Sequence, residues 1–382
     1  MNLAAAAHEP AVRDIRFGII GCSAIAPRAL LEPTQHVAGA RVTALANRTV
    51  AKAEEMAERF GVSVVYRHAE DLLKDPEIDA VYIALSNDLH AEWIGKALQA
   101  HKHVLVEKPL CLNTADLIPL AATVEQSNAY LLEGVMVMHH PWQRELRRIV
   151  ESGCYGRLRS IATSLCIPAR DGHANNYRSR LEQGGGCFWD LGVYWLQLLQ
   201  AVVGLEQAEF RSQSDFDGPH GCDWTFHAQA RYPGGLEASA LFSFERPYRC
   251  AHVLTFDSAV VTLQDCFRAN LGFYKMTLKT EITEMTEIVQ DITPNITATA
   301  VSTEGSSHQL ESHFHSQFQP QPQSKMKTVF EPMNYYVNQL EAFCSIIRGE
   351  AEPIPFREAA ERVRLLAAIH EAARSGETIY AV

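Results

Sequence analysis

Two short stretches of this 382-residue chain carry residue types whose order suits chemistry on a bound dinucleotide. The first, Gly21-Cys22-Ser23-Ala24-Ile25-Ala26, follows the apolar run IRFGII and fits G-x-G-x-x-A, with Ser in place of the second Gly. Gly21 permits a tight turn, and the small Ser23 lets backbone N–H groups, with Ala24 and Ile25 beside it, approach a pyrophosphate. Ala26 then lets the following helix pack closely on the sheet. The Ser23 hydroxyl is a further phosphate donor. The second stretch is Glu107-Lys108-Pro109, directly after the buried-type run HVLV. A lysine there sets a cation beside a nicotinamide, where it can polarise a substrate oxygen.

A third position speaks to the choice of dinucleotide. About twenty residues past the glycine turn, NAD-specific domains usually carry Asp or Glu at the end of the second strand. Here RVTALA ends in Asn47-Arg48-Thr49. Asn47 and Thr49 can hydrogen-bond a 2′-phosphate, and Arg48 can pair with it, whereas a carboxylate would repel it. NADP(H) is preferred, with NAD(H) left open.

The elements that must position these residues are legible as alternation. IRFGII, RVTALA, VVY, AVYIAL, HVLV and YLLEGVMV are strand-like runs separated by amphipathic stretches, as in a parallel sheet with crossover helices. Thr49 to Phe60 places Ala53, Met56, Ala57 and Phe60 on one face, and Gly61 ends it. Helices are also expected over 90–100, over 114–127 (bent or started late by Pro119) and over 141–152. Ser86, Asn87 and His90, after AVYIAL, and Glu107 and Lys108 thus lie beyond carboxyl ends of parallel strands, the ligand edge of such sheets, and join the cofactor-site candidates.

After Gly156 the pattern becomes period two: LRSIATSL, DWTFHAQARY and LEASALFSF, the last two joined by Pro233-Gly234-Gly235. The expected fold is α/β plus α+β. A doubly wound Rossmann sheet spans 14–138, and 139–382 form an α+β substrate-binding and oligomerisation domain on a largely antiparallel open sheet. Residues 1–13 read as a frayed tail, 268–328 as an irregular insertion, and 335–348 and 357–375 as closing helices.

Composition narrows the function. Hydrophobic residues make up 47% and the formal net charge is -11, without a basic run, which argues against nucleic-acid binding. Nine cysteines without a C-x-x-C pair suggest free thiols in a cytoplasmic protein. No membrane partner is expected, since no apolar run reaches about 18 residues. His308, His313 and His315 lie in a polar stretch without a matching carboxylate or Cys, so no metal is expected.

Taken with GIIGCSAIA, SNDLH and VLVEKPL, the run GGGCFWDLGVYW and the closing YYVNQLEAFCSIIRGE make the chain resemble the Gfo/Idh/MocA oxidoreductase family over nearly its whole length. The resemblance implies that Lys108 is catalytic and that the D-x-G-x-Y signature supplies Asp190 and Tyr194. Tyr at that place is similar to the branch with dihydrodiol dehydrogenase, NADP-dependent xylose dehydrogenase and nucleotide-sugar 3-ketoreductases, where it exchanges the proton. A phenol ionises near pH 10, and a neighbouring Lys108 ammonium is expected to lower that value. Asp190 would accept a substrate hydroxyl or orient Lys108, or simply serve as a helix-start carboxylate. Tyr177 and Arg178 match a segment bordering substrate in relatives.

The chain departs from the family at GVMVMHHP, where Met138 stands in place of a frequent Arg, leaving that charge absent or supplied by His139 or His140. FDSAVVTL is expected to turn at Asp257-Ser258 rather than through glycines. The implied activity is NADP(H)-dependent hydride transfer at a hydroxyl or carbonyl carbon of a sugar or polyol, by a homodimer or homotetramer. A nucleotide-sugar ketoreductase and a non-catalytic NAD(P)-binding regulator are the alternatives.

Overall fold

Strand-like runs and amphipathic stretches alternate in the structure as they do in the sequence. The computed structural model describes residues 14–169, 176–283 and 324–381. The expected N-terminal tail and His308, His313 and His315 lie outside the described residues.

Six strands, β1 (Ile15–Ile20), β2 (Ala40–Ala46), β3 (Val64–Tyr66), β4 (Ala80–Ile83), β5 (His103–Glu107) and β6 (Leu131–Gly134), pair in parallel in the order 3-2-1-4-5-6. The order reverses between β1 and β4, which opens the crevice in which doubly wound sheets bind dinucleotides. Strands β1 and β4 are buried along their whole length, as expected of a sheet covered on both faces. The helices are α1 (Val50–Phe60), α2 (Ala69–Lys74), α3 (His90–Gln99), α4 (Leu117–Gln126) and α5 (Pro141–Ser152). Helix α1 ends on Gly61 in the left-handed region, and α4 begins only after a 3-10 turn over Thr114–Asp116, as Pro119 led one to expect.

One expectation fails here. The phosphate turn feeds no long helix but a single π-helical turn, Pro27–Leu31, and a 3-10 turn, Pro33–Gln35. Pro33 lacks the N–H that a continuing α-helix would use, and the chain turns away at once.

The second sheet has nine strands. They are β7 (Leu158–Cys166), β8 (Glu209–Gln213), β9 (Thr225–Arg231), β10 (Glu237–Ser243), β11 (Arg249–Phe256), β12 (Ala259–Gln264), β13 (Thr277–Ile282), β14 (Ser324–Val329) and β15 (Ile379–Tyr380), in the order 14-13-12-11-7-10-9-8-15. Only β7 and β10 run parallel; every other neighbouring pair is antiparallel. The β11–β12 hairpin does turn at Asp257-Ser258, where the Asp257 carboxylate accepts from Arg157 N at 2.6 Å and Arg159 Nε at 2.5 Å. The segment 268–328 was expected to be irregular, yet its described ends form β13 and β14, which extend the sheet. Alternation in TLKTEI and SKMKTV was obscured by the polar run between them.

Helix α6 (Cys187–Val202) is buried almost all round and lies on one face of this sheet. Phe188 stacks on Phe226 at 4.2 Å, and Trp195 meets Phe210 and Phe242 edge-on. On the opposite face Ala162, His227, Arg231 and Ser239 are exposed. The closing helices, α7 (Tyr335–Ile347) and α8 (Phe356–Ser375), return to the first sheet: Phe343 packs against Phe17 and Tyr130. No helix among the described residues is long and apolar enough to cross a membrane.

Candidate active site

The carboxyl edge of the first sheet faces the N-terminal half of α6. Lys108 follows β5 at a cis Lys108–Pro109 peptide, and Asp190 stands in the first turn of α6. The Lys108 ammonium donates to Asp190 Oδ1 and to the Asp190 carbonyl, both at 2.6 Å. Arg178 donates to the same carboxylate, Nε to Oδ2 at 3.0 Å and Nη2 to Oδ1 at 3.2 Å, and lies over the Tyr177 ring. One turn along α6, the Tyr194 ring has its centroid 5.1 Å from Lys108 Nζ. Phe267 packs edge-on to Tyr194 at 4.8 Å, and its carbonyl accepts from the Tyr335 hydroxyl. Lys108 beyond β5, Tyr177 and Arg178 on a 3-10 turn, and Asp190 and Tyr194 on α6 thus converge.

Burial sets the electrostatics. It pushes the Asp190 carboxyl up, but Arg178 and then Lys108 overrule it and hold the group well below the usual carboxylate range. This carboxylate is therefore charged and accepts from the Lys108 ammonium. Tyr194 corrects an expectation. Its ionisation is driven well above 10, first because burial takes a phenolate out of water and then because Tyr336, Glu107 and Asp190 lie close by. The Tyr194 phenol is thus neutral rather than pre-ionised.

The residues expected around the cofactor divide into two groups. Gly21 has φ +96°, and a Cβ there would lie 2.5 Å from the Ala84 carbonyl, so only glycine allows β1 and β4 to approach at the turn. Ser23 Oγ is buried without a hydrogen-bond partner among the described residues, an open valence in the turn where phosphate is expected. Arg48 is exposed just past β2 and carries no ion pair among the described residues, while Ser86 begins the turn after β4. Both features suit a phosphorylated dinucleotide.

Other expected contacts have backbone or tyrosine partners instead. Asn47 Oδ1 accepts from Cys22 N and its amide donates to Thr49 O, so this side chain shapes the turn. Asn87 donates to Gly184 O, in the turn that precedes α6. His90 is fully buried; Nδ1 lies 2.8 Å from Pro109 O and Nε2 lies 3.3 Å from Leu85 O, so it ties two edge loops together rather than facing a ligand. Glu107 turns inward to accept from the Tyr82 hydroxyl at 2.5 Å, and burial raises its carboxyl. His139 and His140 do not replace the missing arginine: burial lowers both imidazoles to about 4, leaving them neutral at pH 7.

Several residues around the site escaped sequence reasoning. Asp223 is wholly buried; its carboxylate accepts from Phe188 N at 2.7 Å and His370 Nε2 lies at 3.1 Å, and its carbonyl accepts from Cys187 N. It thereby anchors the start of α6. A Cβ at Gly186 (φ +111°) would sit 2.1 Å from Asp223 Oδ1, which explains the last glycine of the GGG run. Tyr336 is buried at the start of α7, close enough to Glu107 and Arg28 for their charges to act on its phenol. One signal was available: a lone carboxylate in a buried strand, as in LLEG, demands a buried partner. Among the described residues no cluster of three metal-ligating side chains occurs.

Residues 15–135 match the GFO/IDH/MocA family, described as an oxidoreductase family with an NAD-binding Rossmann fold, and 143–262 match the GFO/IDH/MocA C-terminal domain. The dTDP-3,4-didehydro-2,6-dideoxy-alpha-D-glucose 3-reductase of Streptomyces violaceoruber is 33% identical, over 74% of this chain and 82% of that protein. D-xylose 1-dehydrogenase (NADP(+)) 2 of Haloferax volcanii is 26% identical over 95% of this chain and 98% of its own. Among solved structures, KijD10, a 3-ketoreductase from Actinomadura kijaniata in complex with TDP-benzene and NADP, superimposes with a TM-score of 0.72. It is 25% identical and covers 95% of this chain and 98% of that one.

Proposed function

Because this chain belongs to the Gfo/Idh/MocA oxidoreductase family, we propose that it is an NADP(H)-dependent enzyme exchanging hydride with a carbonyl or hydroxyl carbon of a sugar-like substrate. The observation that carries the reading is the Lys108 ammonium, held by the charged Asp190 beside the neutral phenol of Tyr194. Gly21, Ser23, Ala24, Ile25 and Arg48, with Ser86 beside them, are the residues that would hold the dinucleotide. When bound, NADP(H) supplies or takes up the hydride.

The chain's own groups then manage the oxygen. In the reducing direction Lys108 polarises the substrate carbonyl and stabilises charge developing on its oxygen. Tyr194 gives that oxygen its proton, so the carbonyl becomes an alcohol; in the oxidising direction the proton moves back. Arg178 and Tyr177 border the substrate, and Asp190 keeps Lys108 in place.

A second reading, reduction of a keto group on a nucleotide-activated sugar, is favoured by the dTDP-sugar reductase among the relatives and by the TDP-benzene in the KijD10 structure. We place the enzyme in the cytoplasm, in keeping with nine free thiols, and assign the open face of the nine-stranded sheet to homo-oligomer contact.

The test is NADPH oxidation by the purified protein with free keto sugars and dTDP-keto sugars. Turnover that is lost in Lys108→Ala and falls steeply in Tyr194→Phe supports the enzyme. Tight NADPH binding without turnover of any of them points instead to a regulator.

A further inference from the structure

Glu133 is the charged residue of β6, with its side chain only 1% exposed. A lone carboxylate at such a depth is costly unless its oxygens are occupied. Both are. Oε1 accepts the Leu110 N–H at 2.8 Å, two residues beyond Lys108. Oε2 accepts Arg362 of α8, from Nη2 at 2.6 Å and Nε at 3.3 Å. The Arg362 side chain is 3% exposed, and its remaining terminal nitrogen, Nη1, donates to Gln200 Oε1. Gln200 belongs to α6, the helix that carries Asp190 and Tyr194, and its own amide donates to Glu361 and to the Glu358 carbonyl of α8.

The geometry points to Glu133, Arg362 and Gln200 as positioning residues: a relay built on a buried ion pair that holds the Lys108 loop of the first sheet in register with the Asp190–Tyr194 helix of the second. Lys108 follows a strand of the first sheet and Tyr194 sits on the helix that covers the second, and the Lys108–Asp190 contact is a direct link across the site. Behind it, the relay runs from Leu110 through β6 and α8 to α6, with its ion pair removed from water and its α6 end, Gln200, half-buried. A planar guanidinium that donates to a carboxylate on one side and to an amide on the other fixes direction as well as distance. An apolar pair in the same volume would fill the space without that directional restraint, and would often fold as well. None of the three residues reaches the Lys108 ammonium, so they act through the segments they hold.

The functional meaning rests on the reading that Lys108 and Tyr194 act on substrate, and the experiment separates the two claims. The double variant Glu133→Met/Arg362→Met removes both buried charges, and Gln200→Leu cuts only the end on α6. Hydrogen exchange over residues 108–112 needs no substrate. In the double variant it is expected to accelerate at least about tenfold, because the Leu110 amide loses its acceptor. NADPH affinity is expected to stay within about twofold, since the hydrogen bonds of the three residues involve Leu110, Glu358 and Glu361 and none of the residues of the Gly21–Ala26 turn. On the keto sugar that the wild type reduces fastest, kcat is expected to fall by about 10- to 100-fold in the double variant and less in Gln200→Leu, with KM for NADPH unchanged. A folded double variant with wild-type exchange over 108–112 overturns the relay, as does a Gln200→Leu enzyme with wild-type kcat should the double variant not fold. Accelerated exchange with a wild type that turns over no sugar would leave the relay standing and remove the catalytic reading.

Discussion

Replacing Asp190 by Asn takes away the one negative charge shared by two cations. Lys108 Nζ and Arg178 Nη2 bind the same Oδ1 at 2.6 and 3.2 Å, so they can be no more than about 6 Å apart. Their side chains are 9% and 27% exposed, and water screens them incompletely. At an effective dielectric near 20, two unit charges about 5 Å apart repel by roughly 3 kcal/mol. In the native protein the Asp190 carboxylate offsets this; a neutral amide in its place does not. The expected loss in unfolding free energy is therefore about 3 kcal/mol, in the range for breaking a buried ion pair. The assay is urea unfolding of the wild type, Asp190→Asn, Arg178→Gln and the double variant. Arg178→Gln should destabilise the wild type, which loses a partner of Asp190, yet restore about 2 kcal/mol or more to Asp190→Asn, which loses a repulsion. If Arg178→Gln has the same effect in both backgrounds to within about 0.5 kcal/mol, the charge argument is refuted.

Three further outcomes are expected. Because burial keeps Tyr194 protonated well past pH 10, kcat for reduction should show no limb from this phenol between pH 7 and 9.5; an alkaline fall that vanishes in Tyr194→Phe would contradict this. His140 and His252 are buried with their imidazoles lowered to about 4, so between pH 6.5 and 4 the unfolded chain binds more protons, and stability is full above that window and lost as pH falls through it. From an unfolded value near 6.5, the pair should cost about 4 kcal/mol on going from pH 7 to pH 5. Urea titrations at both pH values, repeated on His252→Gln and on the cap-preserving His140→Asn, should each recover about half of it. Finally, Arg48→Asp should raise the Kd for NADPH by about 10- to 100-fold over that for NADH, the worth of one charge-assisted contact, as read by quenching of NADPH fluorescence. Equal changes for both dinucleotides would remove Arg48 from the 2′-phosphate site.

Much of the fold was legible because burial leaves a periodic trace. The β-branched runs at 15–20, 80–83 and 103–107 lie in a sheet covered on both faces, and each became a strand close to its expected bounds. The strands β8 and β15 were not foreseen: EFRSQ is polar and IY too short for any period to register. The helix expected after Ala26 failed for a local reason, Pro33, whose effect depends on where the chain must go next.

Residue types and local order alone determined the phosphate turn at Gly21, the lysine at 108 beyond a buried strand, and Asp190 and Tyr194 one helical turn apart. These are properties of short segments, where backbone geometry and side-chain chemistry suffice. Protonation and partnership belonged to the tertiary structure. Tyr194 stays a neutral phenol, and Asp190 a charged anchor, because of what packs around them from β5, α6 and the 177–179 turn. His90 and Asn87 became struts, and Glu133 found Arg362 across 229 positions of chain. Desolvation and Coulomb energy depend on distances in space, and separation along the chain carries no record of them.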